Sequence, residues 1–535
     1  MTPLRKLDLV ERDGCLVLGT HSAITYLDGA EQLVGAIVAE AGDRGSLSDE
    51  LHHAAGENWA ERYHLDRGRV NVLRALDLPA GAVALEIGSG CGAITRYLGE
   101  NLALVDSVEP VAARAAVGAQ RVADLDNVRV FVGVVDDVPD EQAYDLVFVI
   151  GVLEYVQDRP AFLESLRRKL KPGGTLVLAI ENQLGVKYLA GGREDHSGIP
   201  WDGVQGYPNG GPAQTFARRP LENLLSGAGF RPVRTLGCFP DYKITRAVLT
   251  AELVDRHPAL ATEIPQFPSP DRGFPNERPV DEALLWRQFV DAGIAAEAWN
   301  SFLVIATTDS DESSLWPDER LAVYFNTERA ARWCTRSEVL GTGVIRRTPL
   351  VTPVEDEVSV RGYDEPLVQG MPLITLMVNE PWRAEELLTA WRDLLHRDAP
   401  ELGSAIWDLL PHNLLMTDDE IVAIDLEWCV EGIGVTEVEQ RGLLLTADKL
   451  ASVGWRGAGE RTTVRDLAGW LGVLLGHAPS YVDAVVEREA WFQAVRICGT
   501  PHGAGLRREQ DYLRTAWQNR LAELVGGNGM NGTER

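Results

Sequence analysis

Three glycines at alternate positions, Gly88, Gly90 and Gly92, close an apolar run containing Glu86 and open a helical pattern at Ala93 (VALEIGSGCGAITRYLGE, residues 83–100). Residues of this kind cradle a ligand. Glycine reaches positive φ and lacks the Cβ that would keep backbone amides away from a bound group, and a helix starting there points its positive end at it. A second apolar run, LALVDSVEP, ends in Glu109, 17 residues after Gly92, the distance at which a helix and a strand return an acid to ribose hydroxyls. Glycines and acid together favour a nucleoside cofactor. The G-x-G-x-G spacing differs from the G-x-G-x-x-G that holds a pyrophosphate.

With Tyr144–Glu154 (YDLVFVIGVLE) and Leu170–Ala179 (LKPGGTLVLA) following in order, these residues resemble the class I S-adenosylmethionine-dependent methyltransferases. The resemblance implies an α/β, Rossmann-like seven-stranded sheet and S-adenosyl-L-methionine as cofactor. It implies that Glu86, Gly88, Gly90, Gly92, Glu109 and Ile150 line the cofactor, and that Asp136 or Asp137, in VVDDVPD, hydrogen-bonds the adenine amino group. The segments IENQLGVKYLAG, EDHSG and FPDYK resemble a branch of these enzymes encoded in bacterial gene clusters for surface-polysaccharide and secondary-metabolite assembly. That likeness covers roughly residues 49–309.

Methyl transfer is an in-line displacement, in which a general base is needed only for a hydroxyl or a protonated amine. His196, between acids in EDHSG, is the leading base, since a carboxylate fixes the imidazole tautomer and raises its basicity. Asp195 and Glu154 are the other catalytic candidates. Tyr63, Asn182, Lys187, Tyr188 and Tyr242 are expected to bind the acceptor, and Tyr63, His64, Arg67 and Asn71 to lie on a helix over the cofactor. Tyr155 or Tyr188 would pack on the sulfonium or a sugar ring. Six cysteines without ligand spacing give no metal site and indicate a reducing compartment.

The elements that must position these residues alternate as strands near 82–87, 103–109, 128–134, 145–150 and 174–180, with a final pair at 231–239 and 300–308. Residues 1–48 read as an N-terminal cap or dimer arm, and 49–310 as the methyltransferase domain with insertions at 182–214 and 240–298. Loops that long inside a compact domain are usually functional, so both are expected to build the acceptor pocket. Residues 315–525 weakly resemble aminoglycoside-phosphotransferase-like kinases: in SAIWDLLPHNLLMTDDEIVAIDLEW, Asp408, Asn413 and Asp425 have the spacing of a catalytic loop and a metal-binding acid. Segment 244–448 has no lysine, and Ile406 stands where that family places a histidine. A degenerate kinase-like domain is expected, with Arg346 or Arg347 as the only substitutes for the phosphate-anchoring lysine, followed by a disordered tail at 526–535.

A formal net charge of −28 would repel phosphate backbones and excludes nucleic acid as a partner. No apolar stretch is long enough for a membrane span, so the chain is expected to be cytoplasmic. Its expected function is methyl transfer to a hydroxyl or amine of a sugar or small natural-product intermediate, with a homodimer or an assembly complex as partner. A bifunctional methyltransferase and kinase, or a non-catalytic scaffold, are the alternatives.

Overall fold

The computed structural model describes residues 2–19, 29–56, 58–211, 213–271, 276–309, 313–418 and 420–522; the expected 526–535 tail lies outside them. The chain divides into two units, Met1–Thr327 with Glu338–Gly341, and Glu328–Ser337 with Thr342–Arg535.

The first unit is built on a mixed sheet. Its strands are β1 (Val10–Arg12), β2 (Cys15–Val17), β3 (Val83–Ile87), β4 (Leu104–Glu109), β5 (Val128–Val132), β6 (Tyr144–Ile150), β7 (Leu170–Glu181), β8 (Arg231–Phe239), β9 (Ala247–Leu249), β10 (Ser301–Thr307) and β11 (Arg320–Asn326). Their order is β1-β2-β5-β4-β3-β6-β7-β10-β8-β9-β11. From β2 to β7 neighbouring strands run parallel, and β10 then inserts antiparallel between β7 and β8. The near-continuous apolar runs of β6 and β7 follow from this, because strands covered by helices on both faces bury every side chain. Val130, Phe148, Ile150, Val177, Leu303 and Ile305 are all buried in one core with Ile94 and Leu98 of the helix Ala93–Asn101.

Seven strands were expected, and the unit has more. Within the segment expected as a cap or dimer arm, Cys15–Val17 pairs parallel to β5, and Arg5 Nε donates to Asp106 Oδ1 on β4 at 2.8 Å. Three-residue strands carry too little periodicity to be read in advance. At the other edge, β9 from the second insertion pairs with β8 and β11. The rest of that insertion folds as helices Ala251–Arg256, Pro258–Glu263 and Glu282–Asp291, the last burying Trp286. The helix expected before the first strand breaks into short pieces, because Ser48, Asn58 and Asp66 each cap a new start.

The second unit is mainly helical. Helices Ala384–Leu402, Val435–Ser452, Val464–Leu474 and Tyr481–Cys498 bury Trp391, Trp407, Leu444, Leu467, Val485 and Phe492 in their own core. Short antiparallel pairs join Val344–Pro349 to Tyr363–Pro366 and Val358–Val360 to Trp428–Val430. Among the described residues no helix is long and apolar enough to cross a membrane.

Candidate active site

The turn after β3 supplies the first half of the site. Gly88, Gly90 and Gly92 have φ of +81°, +52° and +79°. A Cβ at Gly88 would lie 2.4 Å from Val152 Cγ2, and one at Gly92 would lie 2.7 Å from the Cα of Gly118, so those positions are closed by the protein itself. Gly90 differs. Its nearest neighbour in that direction is His64 Cε1 at 3.8 Å, which leaves the middle of the turn approachable by a ligand. Glu109, at the end of β4, accepts from the N–H of Gly90 (2.8 Å) and of Val111 (3.0 Å), and two bonds leave a carboxylate with lone pairs for hydroxyl donors. Ser89 Oγ is buried without a hydrogen-bond partner. An open glycine, an acid with spare acceptors and an orphan hydroxyl fit the nucleoside end of S-adenosyl-L-methionine.

Glu86 is placed differently from the expectation of a ligand contact. Its Oε2 accepts from Thr95 Oγ1 (2.6 Å) and Ser107 Oγ (2.8 Å), and burial pushes its carboxyl up to about 7. The residue ties the turn to the helix and to β4. Asp137 Oδ2 accepts from the N–H of Val134 (2.9 Å), while Asp136 is exposed, 3.4 Å from Ser165 Oγ. Ile150 is buried at the end of β6.

The second half lies just past the carboxyl ends of β6 and β7, where open α/β sheets bind ligands. Gly151 passes so close to Tyr242 that a Cβ there would lie 2.4 Å from the phenol oxygen, and Tyr242 Oη donates to Glu154 Oε1 at 3.2 Å. Glu181, the last residue of β7, is in ion-pair contact with Lys243 but out of line for a hydrogen bond. Lys243 Nζ and Lys187 Nζ both donate to Asp195, each at 2.7 Å. Burial would raise the Asp195 carboxyl, yet the two ammonium groups hold it well below the usual range.

His196 completes the cluster. Its Nδ1 donates to Glu194 Oε1 at 2.8 Å, and Glu194 Oε2 accepts the N–H groups of His196 (2.7 Å) and Ser197 (2.6 Å). Burial alone would lower this imidazole, but the bond to Glu194 and the charge of Glu181 outweigh it and push it up to about 9. Tyr155 packs edge-on against the ring at 5.4 Å. Glu154 is 1% exposed, and burial with the charge of Glu181 pushes it up to about 7. One donor atom each from Glu154, Glu181 and His196 lies within 4.8 Å of the other two, a spacing that would admit a cation. Lys243 and the protonated imidazole already bring positive charge there, and no metal is assigned.

Of the residues expected to bind the acceptor, Lys187, Tyr188 and Tyr242 belong to this cluster. Asn182 does not: its Nδ2 donates to the carbonyls of Glu297 and Trp299, and its Oδ1 accepts from Leu184, so the amide clamps the first insertion to the residues that lead into β10. Asn71 is likewise used up on Thr245 and Thr327. Tyr63 accepts from Arg69 Nη2 at 2.9 Å, and the guanidinium lies over its ring. Glu181 and Arg69 were not anticipated; the only signal for Glu181 was an acid at the end of an apolar strand.

In the second unit, Asp408 Oδ2 accepts from the N–H of Trp428 at 2.7 Å, and Asn413 Nδ2 donates to the Asp408 carbonyl at 2.9 Å. Asp425, at φ +60°, is ion-paired with Arg347 at 2.7 Å. Of the three residues expected from the spacing, Asp408 and Asn413 are thus joined to each other, and Asp425 is held by an arginine.

Residues 85–176 match the family model described as a methyltransferase domain. No curated protein matches the chain. Among solved structures it is similar to an S-adenosylmethionine-dependent methyltransferase from Mesorhizobium loti (20% identity, 45% of this chain and 97% of that one, TM-score 0.28). It is also similar to geranyl diphosphate C-methyltransferase from Streptomyces coelicolor A3(2) (17%, 51% and 84%, TM-score 0.30). A third is phosphoethanolamine N-methyltransferase 2 of Haemonchus contortus, solved with S-adenosyl-L-methionine (18%, 45% and 52%, TM-score 0.29). Over residues 85–176 the chain therefore carries a methyltransferase domain.

Proposed function

We propose that the enzyme methylates a hydroxyl or amine of a sugar or small natural-product intermediate, and that Glu154 takes the acceptor's proton. The observation that carries this reading is the buried polar cluster at the ends of β6 and β7: Glu154, Glu181, Lys187, Tyr188, Asp195, His196, Tyr242 and Lys243 offer a polar ring many partners beside the cofactor turn. The cofactor supplies an electrophilic methyl group. Glu109, Gly90 and Ser89 would hold its nucleoside end, and the Gly151–Glu154 segment, packed against Gly88 through Val152, brings the base beside it.

Among the three candidate bases, Asp195 is occupied by two lysines and His196 is held as an imidazolium at neutral pH. Glu154, near 7 and with Oε2 unpartnered, has the affinity a general base needs. His196 then serves as a donor that orients the acceptor. Incubating the protein with labelled S-adenosyl-L-methionine and fractionated sugar and small-molecule extracts tests the reading: label should enter a low-molecular-weight product, and its entry into RNA or protein alone would refute the acceptor class.

For the second unit we read Asp408 and Asp425 as kinase-like but unable to transfer phosphate. Arg347 occupies the carboxylate that would hold a metal ion, and Asp408 faces the backbone of Trp428. Its role is then to recruit or orient the acceptor or an assembly partner, in a cytoplasmic setting.

A further inference from the structure

Methyl transfer destroys a positive charge on sulfur and liberates a proton from the acceptor, so a buried site must handle both. Around Glu154 the charges can be counted by element. Glu181 comes from the end of β7, Lys243 from the segment after β8, and Glu194, Asp195, His196 and Lys187 from the first insertion. Tyr242 donates to one oxygen of Glu154, Tyr155 lies against His196, and half-exposed Arg159 donates to the Glu154 backbone carbonyl at 3.4 Å. The buried carboxylates are Glu154, Glu181, Glu194, Asp195 and Asp241, the last accepting from the N–H groups of Lys243 and Ile244, and the cations buried among them are Lys187, Lys243, His196 and Arg69, whose guanidinium lies over the Tyr242 ring. One negative charge is left over. The hydrogen bonds point to where it sits: Asp195 and Glu194 are fully engaged, whereas Glu154 Oε2 and Glu181 Oε2 accept none and Glu181 Oε1 has only its ion-pair contact with Lys243, which Asp195 shares. Two carboxylates buried within 4.8 Å of each other, with Glu154 Oε2 and Glu181 Oε2 left without a partner, will bind a proton or a cation.

Building on the proposed reaction, we propose that the Glu154–Glu181 pair is the counter-ion of the cofactor's sulfonium: it gives up its shared proton when the cationic cofactor binds and recovers one from the acceptor during transfer. The balance closes. The acceptor's O–H or N–H proton passes to Glu154 as the acceptor–methyl bond forms, and the methyl–sulfur bond breaks with its electron pair left on sulfur. One positive charge leaves the cofactor as one arrives, as a proton, on the carboxylate pair, so the buried charge stays constant from bound substrate to bound product. The elevated affinity of Glu154 for protons agrees with this count. Neutral S-adenosyl-L-homocysteine should therefore bind without expelling the proton.

The test is isothermal titration calorimetry of the whole protein in buffers of different ionisation enthalpy, which counts protons released on binding. S-adenosyl-L-methionine should release a fraction of a proton that is larger at about pH 6.5 than at about pH 8.5, and S-adenosyl-L-homocysteine should release markedly less. Glu154→Gln and, independently, Glu181→Gln should abolish the difference between the two ligands, with circular dichroism confirming the fold of at least one variant. Equal release by both ligands, or a difference that survives in the folded variants, overturns the proposal. A difference that vanishes on adding EDTA overturns it too, since a metal ion would then neutralise the pair. If the folded parent binds neither ligand, the cofactor assignment itself fails and the inference with it.

Discussion

At the scale of single residues, the site separates groups that hold the scaffold from groups that face the ligands. Glu86 belongs to the first kind. Because burial already favours its protonated form, Glu86→Gln should fold normally, while Glu86→Ala leaves the Thr95 and Ser107 hydroxyls unsatisfied and should cost about 1–3 kcal/mol in urea unfolding. Glu154 belongs to the second. Loss of a positioned base costs on the order of 10²–10⁴ in rate, so Glu154→Gln should lower turnover by about that factor. His196→Asn, removing a donor, should lose less. A larger loss for His196→Asn, measured at saturating acceptor, would return the base to the histidine.

At the scale of elements, the cofactor half was legible because its information is local: three glycines, an acid before them and an acid 17 residues on all sit within one strand-helix-strand stretch. The acceptor half was legible only in part. EDHSG drew attention to His196 and its neighbours, but nothing in sequence could show that Lys243 reaches Asp195 across 48 positions, or that Glu181 ends its strand beside Glu154. Such long-range pairings are set by the order of the strands, which no local pattern encodes. The same limit hid β2, whose three residues join the sheet beside β5, and gave Asn182 a ligand role when its amide is spent on Glu297 and Trp299. Asn182→Ala should therefore act on stability, by about 1–3 kcal/mol, and weaken the whole first insertion. Hydrogen exchange should show faster opening of residues 182–207 with the core strands unchanged; altered acceptor affinity with unchanged protection would show a direct contact instead.

At the scale of the whole molecule, each unit has its own core and its own buried acids. In the second unit burial pushes Asp408 up to about 8, against the charge of Arg441, from an ordinary value near 3.8. A carboxyl with a raised native pKa binds more protons folded than unfolded between those values. Its contribution to stability is thus full below about pH 4 and is lost as pH rises toward about 8. Asp408→Asn should flatten that part of the pH dependence in thermal melts, and an unchanged slope would show that Asp408 titrates normally. Arg347 keeps Asp425 paired, so magnesium and ATP should neither bind tightly nor be turned over; phosphate transfer that disappears in Asp425→Asn would contradict this.

The most direct measurement of the central claim is the affinity of the purified protein for S-adenosyl-L-methionine with and without changes in the glycine turn. Glu109→Ala removes a charged acceptor, worth roughly 1.5–3 kcal/mol, and should weaken binding about ten- to a hundredfold. Gly90→Val fills the one approachable position of the turn and should abolish it. Parental affinity in both folded variants would contradict the account.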